Sequence, residues 1–144
     1  MNKLFFYLLF FCLFSCYVSA QNTWLKNFGS TQFDNTDKVS TDNLNNVYIS
    51  GRMRTTMTIG DTTLLKIGAN PYNYFLAKFT ESGQFIWALN IDVAPSTDPV
   101  SGLEVDRNQN IYMTLDKPGT LYKINSNGII LVKKNFQCSK CSFI

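Results

Sequence analysis

Two stretches of the chain share one pattern. Residues 39–50 read VSTDNLNNVYIS, and residues 103–114 read LEVDRNQNIYMT. In this alignment Asp42 falls on Asp106. An aspartate, three further residues, an asparagine and then an alternating apolar run are typical of a tight turn that leads into a β-strand. Because the pattern occurs twice, it indicates a fold built from an internal repeat.

The turn residues of the two copies have a physical explanation. An aspartate can accept hydrogen bonds from backbone N–H groups two residues later, and asparagine tolerates the left-handed conformation that tight turns need. Asn46 and Asn110 each follow their aspartate by the same spacing. Gly83 and Gly128 come after Ser and Asn, in pairs that favour a hairpin turn before the last strand of each copy.

A second pair of segments extends the repeat. Residues 77–83 (AKFTESG) align with residues 122–128 (YKINSNG). The offset between copies falls from 64 residues (103 minus 39) to 45 residues (122 minus 77), so the first copy carries extra residues. We place this insertion at residues 55–72, with Gly60 and Asp61 at the tip of an added hairpin.

The chain reads as short apolar or alternating runs between turn-forming residues, with no convincing helical period after residue 20. The predicted strands are Lys38–Asp42, Val47–Met53, Thr56–Ile59, Thr63–Ile67, Tyr74–Thr80, Phe85–Ile91, Gly102–Asp106, Ile111–Leu115, Leu121–Asn125 and Ile129–Lys134. Each copy then has four antiparallel strands, the unit of a β-propeller blade. We predict an all-β repeat region over residues 21–136, with blades at about 24–91 and 101–136 and a tail at 137–144.

The repeat also resembles a known family. Residues 42–51 (DNLNNVYISG) resemble the D-x-x-G-N-x-Y-[VI]-[TS]-G core of bacterial seven-bladed β-propeller repeats, and residues 74–79 (YFLAKF), with Gly83 and Trp87, are similar to its second half. Such repeats are common in secreted and surface proteins of Bacteroidetes, which implies an extracytoplasmic propeller-type protein. Asn45 stands where the family prefers glycine, and the second copy lacks the tryptophan and the glycine that follows the tyrosine-containing strand.

The number of copies is small for a propeller. Closed propellers take about four to eight blades, and stacked repeats need about three or more copies to bury their faces. With about two copies, the chain is predicted to be an incomplete propeller, either a fragment of a longer protein or one that closes by assembly. Proteins of the family that the repeat resembles are often exported by the type IX system. Residues 137–144 do not resemble the sorting domain of that system, which favours a fragment.

The first twenty residues read as a secretory signal peptide, predicted to form a helix before the all-β region. Lys3 precedes an unbroken apolar run at 4–14, and small residues lead to a predicted cleavage site between Ala20 and Gln21. The apolar run is short for a bilayer span, which takes about 20 residues, although an uncleaved anchor is an alternative. Cys16 offers a second alternative, because the residues before it loosely resemble a lipobox. After cleavage we expect no stable membrane span.

Charge and composition exclude several partners and reactions. The formal net charge of +3 becomes +2 when Lys3 is removed (3 minus 1), too small a charge to attract nucleic acid. The sequence has no histidine, so neither a Ser-His-Asp nor a Cys-His nucleophile can be built from it. No Gly-rich phosphate loop is present. We therefore predict no cofactor and no metal.

The remaining candidates for chemistry have structural alternatives. Cys138 and Cys141 have the spacing of a zinc or redox pair, but a local disulfide is the preferred interpretation in an exported tail. Asp42 and Asp106 could ligate calcium, but turn capping is preferred. A paired-carboxylate glycosidase site is conceivable from two glutamates, Glu81 and Glu104. The aromatic residues could form a binding face, but packing between blades is preferred: Trp24, Trp87, Tyr48, Tyr74, Tyr112 and Tyr122.

These observations predict an exported, non-enzymatic β-propeller repeat module. It would bind a protein or carbohydrate, or act as a scaffold, at or outside the cell surface. One alternative is the N-terminal part of a propeller enzyme, a polysaccharide lyase or glycosidase, whose active site lies in further blades. The other is a surface lipoprotein anchored through Cys16.

Overall fold

The described part of the chain consists of strands and turns. The computed structural model describes residues 24–91, 97–116 and 119–136, and these ranges contain no helix. In chain order the strands are β1 (Asn35–Thr41), β2 (Val47–Met53), β3 (Met57–Ile59), β4 (Thr62–Leu64), β5 (Asn73–Phe79), β6 (Phe85–Ile91), β7 (Val100–Val105), β8 (Ile111–Leu115), β9 (Thr120–Ile124) and β10 (Ile130–Asn135). The all-β prediction is confirmed for these ranges.

Eight of the strands form two four-stranded antiparallel sheets. The first sheet has the order β1-β2-β5-β6, and the second has the order β7-β8-β9-β10. Strands β3 and β4 pair with each other as a separate two-stranded sheet and form the hairpin inserted between β2 and β5, with Gly60 and Asp61 at its turn. The prediction of four-stranded antiparallel sheets is therefore confirmed.

The strand bounds differ from the prediction by a few residues, most clearly in β4. The predicted strand Thr63–Ile67 is in fact Thr62–Leu64, because the hairpin ends after three residue pairs. Leu65 and Ile67 then lie on the surface, 64% and 47% exposed. Alternating apolar residues predicted a longer strand, but no neighbouring strand pairs with that segment.

A core lies between the two sheets. Side chains alternate across a strand, so one face of each sheet turns toward the other. The buried residues of this core are Tyr48, Tyr74, Leu76, Ile91, Val100, Leu103, Ile111, Met113, Leu115, Tyr122 and Ile124. Trp87 and Leu89, from the outer strand β6, pack against it. The two sheets are thus stacked face to face and share one apolar core.

The other face of the first sheet is covered by the inserted hairpin and the N-terminal segment. This second core contains Met53, Met57, Ile59, Leu64, Phe75, Ala77 and Phe79, with Trp24 and Phe28 packed against it. An isolated bridge joins Gly29 to Thr58 of the hairpin. The end of the stack formed by the first sheet is therefore closed by elements of the same chain.

Asp37 ties the two sheets together. It lies at the irregularity in β1 between Thr36 and Lys38 and forms an ion pair with Arg52, with Nε and Oδ2 3.1 Å apart. The same Oδ2 accepts a hydrogen bond of 3.0 Å from the backbone N–H of Val100, the first residue of β7. One buried carboxylate thus joins the edge of the first sheet to the start of the second.

Several predictions concern residues outside the described ranges. These are the signal peptide helix at residues 1–20, cleavage after Ala20, lipid attachment at Cys16 and the pairing of Cys138 with Cys141. Within the ranges that the structure describes, no helix has the length and apolar character needed to cross a bilayer.

Candidate functional site

The turn at Asp42 is the most connected polar feature of the first sheet. Oδ1 of Asp42 accepts hydrogen bonds from the backbone N–H groups of Leu44 and Asn46, both 2.9 Å long. Oδ2 accepts from Nδ2 of Asn46 at 2.9 Å and from the hydroxyl of Tyr48 at 3.0 Å. Four donors therefore fill the acceptor positions of this carboxylate.

The turn at Asp106 has the same geometry in the second sheet. Oδ1 accepts from the backbone N–H groups of Asn108 and Asn110 at 2.9 and 2.8 Å. Oδ2 accepts from Nδ2 of Asn110 at 2.8 Å and from the hydroxyl of Tyr112 at 3.3 Å. Both aspartates organise the loop that precedes a strand, and no group of three or more potential metal ligands occurs among the described residues.

The third residue after each aspartate adopts a left-handed backbone. Asn45 has φ of 59° and Gln109 has φ of 60°. Glycine reaches this region without steric cost, and asparagine does so more readily than other residues with a side chain. The conformation accounts for the preference for glycine at this position in the pattern that the repeat resembles.

Burial distinguishes the two turns. The Asp42 side chain has no accessible surface, and Nζ of Lys78 lies 3.9 Å from its Oδ2 with only 7% of the lysine side chain exposed. Lys78 also lies over the ring of Tyr48, 5.1 Å from its centroid. In the second sheet Lys123 lies over Tyr112 at 5.5 Å, but this face of the sheet is open. Equivalent residues thus form a buried cluster in the first sheet and a partly exposed cluster in the second.

Burial and hydrogen bonding act on the ionisable groups of this cluster. Burial raises the pKa of Asp42, but the hydrogen bonds from Asn46, Leu44 and Tyr48 outweigh it, so the pKa lies below the ordinary 3.8. Burial and the neighbouring Asp42 raise the pKa of Tyr48. Burial lowers the pKa of Lys78 against the opposing effect of Asp42. The amide of Asn110 is the main cause of a lowered pKa at Asp106.

The lowered pKa values predict a loss of stability in acid. A carboxyl group whose pKa is lower in the folded state binds more protons when the chain is unfolded, so stability rises with pH across this range. The two carboxylates contribute their full stabilisation when the pH is above 3.8, the ordinary pKa of aspartate. This stabilisation is lost as the pH falls through the lower pKa values that Asp42 and Asp106 have in the folded state. Urea unfolding from pH 6 to pH 2 should show a falling midpoint. An Asp42→Asn/Asp106→Asn variant should show a flatter profile, and equal slopes would contradict the prediction.

Two tryptophans bind equivalent turns of the two sheets. Nε1 of Trp87, in β6, donates a hydrogen bond of 3.0 Å to the carbonyl of Ser126, between β9 and β10. Nε1 of Trp24 donates a bond of the same length to the carbonyl of Glu81, between β5 and β6. A Cβ added at Gly128 would lie 3.2 Å from the Trp87 ring, so the indole rests on the turn glycine. Each tryptophan reaches from one layer onto the last turn of the next.

The sequence holds a signal for this arrangement that the repeat analysis missed. Residues 24–28 read WLKNF, and residues 87–91 read WALNI. The first of these segments contacts the first sheet in the way that residues 87–91 of β6 contact the second. The match is short and separated from the longer alignments, so only the shared contact with the turn makes it evident.

Gly83 is placed where a side chain is costly. Its φ is +77°, and an added Cβ would lie 2.5 Å from ring carbons of Trp24. Gly83→Ala should lower the free energy of unfolding by about 2 kcal/mol and shift the fluorescence of Trp24 toward that of a solvated indole. Gly83→Asn serves as the control, since asparagine tolerates a left-handed backbone conformation but, like alanine, places a Cβ against Trp24. A Gly83→Ala protein as stable as the parent would contradict the prediction.

The other candidate residues are dispersed. Glu81 lies in the turn between β5 and β6, where its Oε1 accepts from Nδ2 of Asn45 at 3.3 Å. Glu104 lies on the exposed face of β7, turned away from the first sheet, so the two glutamates do not form a paired-carboxylate site. Tyr48, Tyr74 and Tyr122 are in the core between the sheets rather than on a binding face.

The sequence matches no family model and no curated protein.

Proposed function

We propose that the chain is an exported, non-enzymatic module of the β-propeller type that serves in binding or scaffolding at or outside the cell surface. The observation that carries the proposal is the way in which one sheet follows the next. Two four-stranded antiparallel sheets with the same strand order share a core, and each meets the layer before it through a tryptophan and a turn carbonyl.

This stacking rule supports a propeller-type arrangement because it can be continued. Trp24 and Trp87 make the same contact on successive sheets, so the relation between layers is one that further layers can repeat. Radial repetition of four-stranded sheets is the architecture of a β-propeller. The signal peptide pattern at residues 1–20 supports a location outside the cytoplasm.

The polar residues support a structural rather than a catalytic role. The groups with the most perturbed environments, Asp42, Tyr48 and Lys78, lie inside the stack, where a substrate has no access. The two turn aspartates spend their acceptor positions on backbone, amide and hydroxyl donors. Because the sequence also has no histidine, the usual proton carrier near neutral pH is missing.

Export is tested by producing the full chain in a bacterial host and determining the mass of the N-terminus of the processed protein. The expected product starts at an unmodified Gln21 and is found outside the cytoplasm. Cys16→Ser is the matched control and should give the same product. A lipid-modified Cys16 start that disappears in this variant would replace the proposal with the lipoprotein alternative, and a cytoplasmic product would overturn it.

The non-enzymatic role is tested on the same purified protein. The protein should release no reducing ends or unsaturated uronates from a panel of soluble polysaccharides. It should release no peptides from casein. Insoluble polysaccharides and surface-protein extracts serve as probes for binding by co-sedimentation. Turnover of any of these substrates would overturn the proposal, and release of reducing ends that is lost in Glu81→Gln or Glu104→Gln would indicate a glycosidase.

A further inference from the structure

The outer face of the second sheet repeats the buried face of the first. In the first sheet Tyr48 pairs with Lys78 across β2 and β5, and both side chains are covered by the second sheet. In the second sheet Tyr112 pairs with Lys123 across β8 and β9, on the face that turns away from the first sheet. The tyrosine–lysine pair is therefore buried in the first sheet and partly exposed to solvent in the second.

The similarity extends to the next row of side chains. Ser50 pairs with Leu76 on the covered face of the first sheet, and Thr114 pairs with Leu121 on the open face of the second. Val132 of the outer strand adds a further apolar side chain to this open face, 46% exposed. We define the outer face by Glu104, Tyr112, Thr114, Leu121, Lys123, Val132 and Lys134.

Two opposite charges on the outer face lie in one row, and a third charged side chain, that of Lys134, lies beside Leu121 in the next row. Glu104 lies directly opposite Tyr112 on the neighbouring strand, and Tyr112 lies directly opposite Lys123. Neighbouring strands are about 4.8 Å apart, so the glutamate and the lysine stand about 10 Å apart with the tyrosine between them. This row is self-complementary. A twofold axis parallel to β8, lying between the two sheets above Tyr112, would place each Glu104 opposite the other copy's Lys123.

The shape of the next row fits the same axis. Gly102 pairs with Thr114, and Thr114 pairs with Leu121. Gly102 has no side chain, and the hydroxyl of Thr114 lies over it. The sheet surface is therefore recessed at β7 and raised at β9, where the side chain of Leu121 projects. The twofold rotation brings each Leu121 over the partner's low side. Two such sheets can pack in the aligned manner of a β-sandwich.

We propose that the outer face of the second sheet binds the same face of a second copy of this chain, giving a twofold symmetric dimer. The opposite charges and the complementary shapes favour pairing of the face with itself. The equivalent residues of the first sheet pack against the face of another sheet. The dimer would stack four sheets in succession, and the partner of the propeller-type module would be a second copy of itself. This inference rests on the sheet geometry of the function proposed above.

The opposite end of the stack is covered by elements of the same chain. The inserted hairpin and the segment from Trp24 to Phe28 cover the free face of the first sheet. A face that pairs with itself around a twofold axis closes the assembly, whereas a head-to-tail contact would continue it. Of the two outward sheet faces in the described residues, one is covered by the same chain and the other is the face proposed to pair with itself.

Charge reversal tests the proposal on the purified protein as the cell makes it. Sedimentation velocity and light scattering across a range of concentrations should show a monomer–dimer equilibrium for the parent. Glu104→Lys and Lys123→Glu each place like charges at both symmetric contacts, so each should raise the dimer dissociation constant at least about tenfold. An equimolar mixture of the two variants should form a heterodimer, because every contact then joins opposite charges.

Lys38→Glu is the matched control, since it makes the same charge change on an exposed position of the first sheet, and it should leave dimerisation unchanged. A parent that stays monomeric at all concentrations would overturn the proposal. So would a dimer that both variants leave intact, or single-variant losses that the mixture does not restore. None of these outcomes depends on export or on turnover, so failure here is distinguishable from failure of the proposed function.

Discussion

Replacement of Asp42 by alanine should lower the free energy of unfolding by about 3–5 kcal/mol. The carboxylate holds four donors and faces the ammonium of Lys78 in a site closed to solvent. Its removal leaves the hydroxyl of Tyr48 without this acceptor and leaves a buried positive charge without its partner. Urea unfolding followed by circular dichroism at neutral pH measures the change.

Asp106→Ala is the matched control, because it removes the same four hydrogen bonds from a turn whose lysine faces an open surface. Its effect should be clearly smaller. Adding Lys78→Met to Asp42→Ala should recover part of the loss, since the uncompensated charge is then absent. Equal losses in the two aspartate variants would show that burial between the sheets does not set the cost.

Trp87→Ala should also lower the free energy of unfolding by about 3–5 kcal/mol. The side chain belongs to the first sheet but packs against the shared core, 6.3 Å from the ring of Tyr48, and its indole N–H binds the second sheet at Ser126. The substitution leaves a cavity between the sheets and a carbonyl without its donor. Unfolding followed by circular dichroism should show a lower midpoint.

Trp87→Phe separates packing from hydrogen bonding. Phenylalanine keeps an aromatic ring in the core but cannot donate to Ser126, so we expect an intermediate loss that includes about 1 kcal/mol for the hydrogen bond. Ile86→Ala, at the neighbouring residue that points outward and is 43% exposed, should change stability by less than about 0.5 kcal/mol. A Trp87→Ala protein that unfolds like Ile86→Ala would contradict a role for Trp87 in joining the sheets.

The candidate site was only partly predictable from the sequence. The spacing of Asp42 and Asn46 indicated a turn, because the hydrogen bonds of that turn lie within five consecutive residues. The link from Asp42 to Lys78 joins residues on different strands, and no local pattern contains it. Trp24 was predicted to pack between blades, but its hydrogen-bond partner Glu81 is 57 residues away in the sequence, so no local pattern contains this contact.

The strands, the turns and the four-stranded grouping of each sheet were predictable from local sequence, because alternation, turn chemistry and hairpin formation act between near neighbours. Which face of each sheet is covered became evident from the packing of the two sheets. Tyr48 and Tyr112 follow the same turn, yet one is fully buried and the other is partly exposed. The local sequence cannot make this distinction, because burial depends on the layer that packs above a residue and on where in the stack its sheet lies.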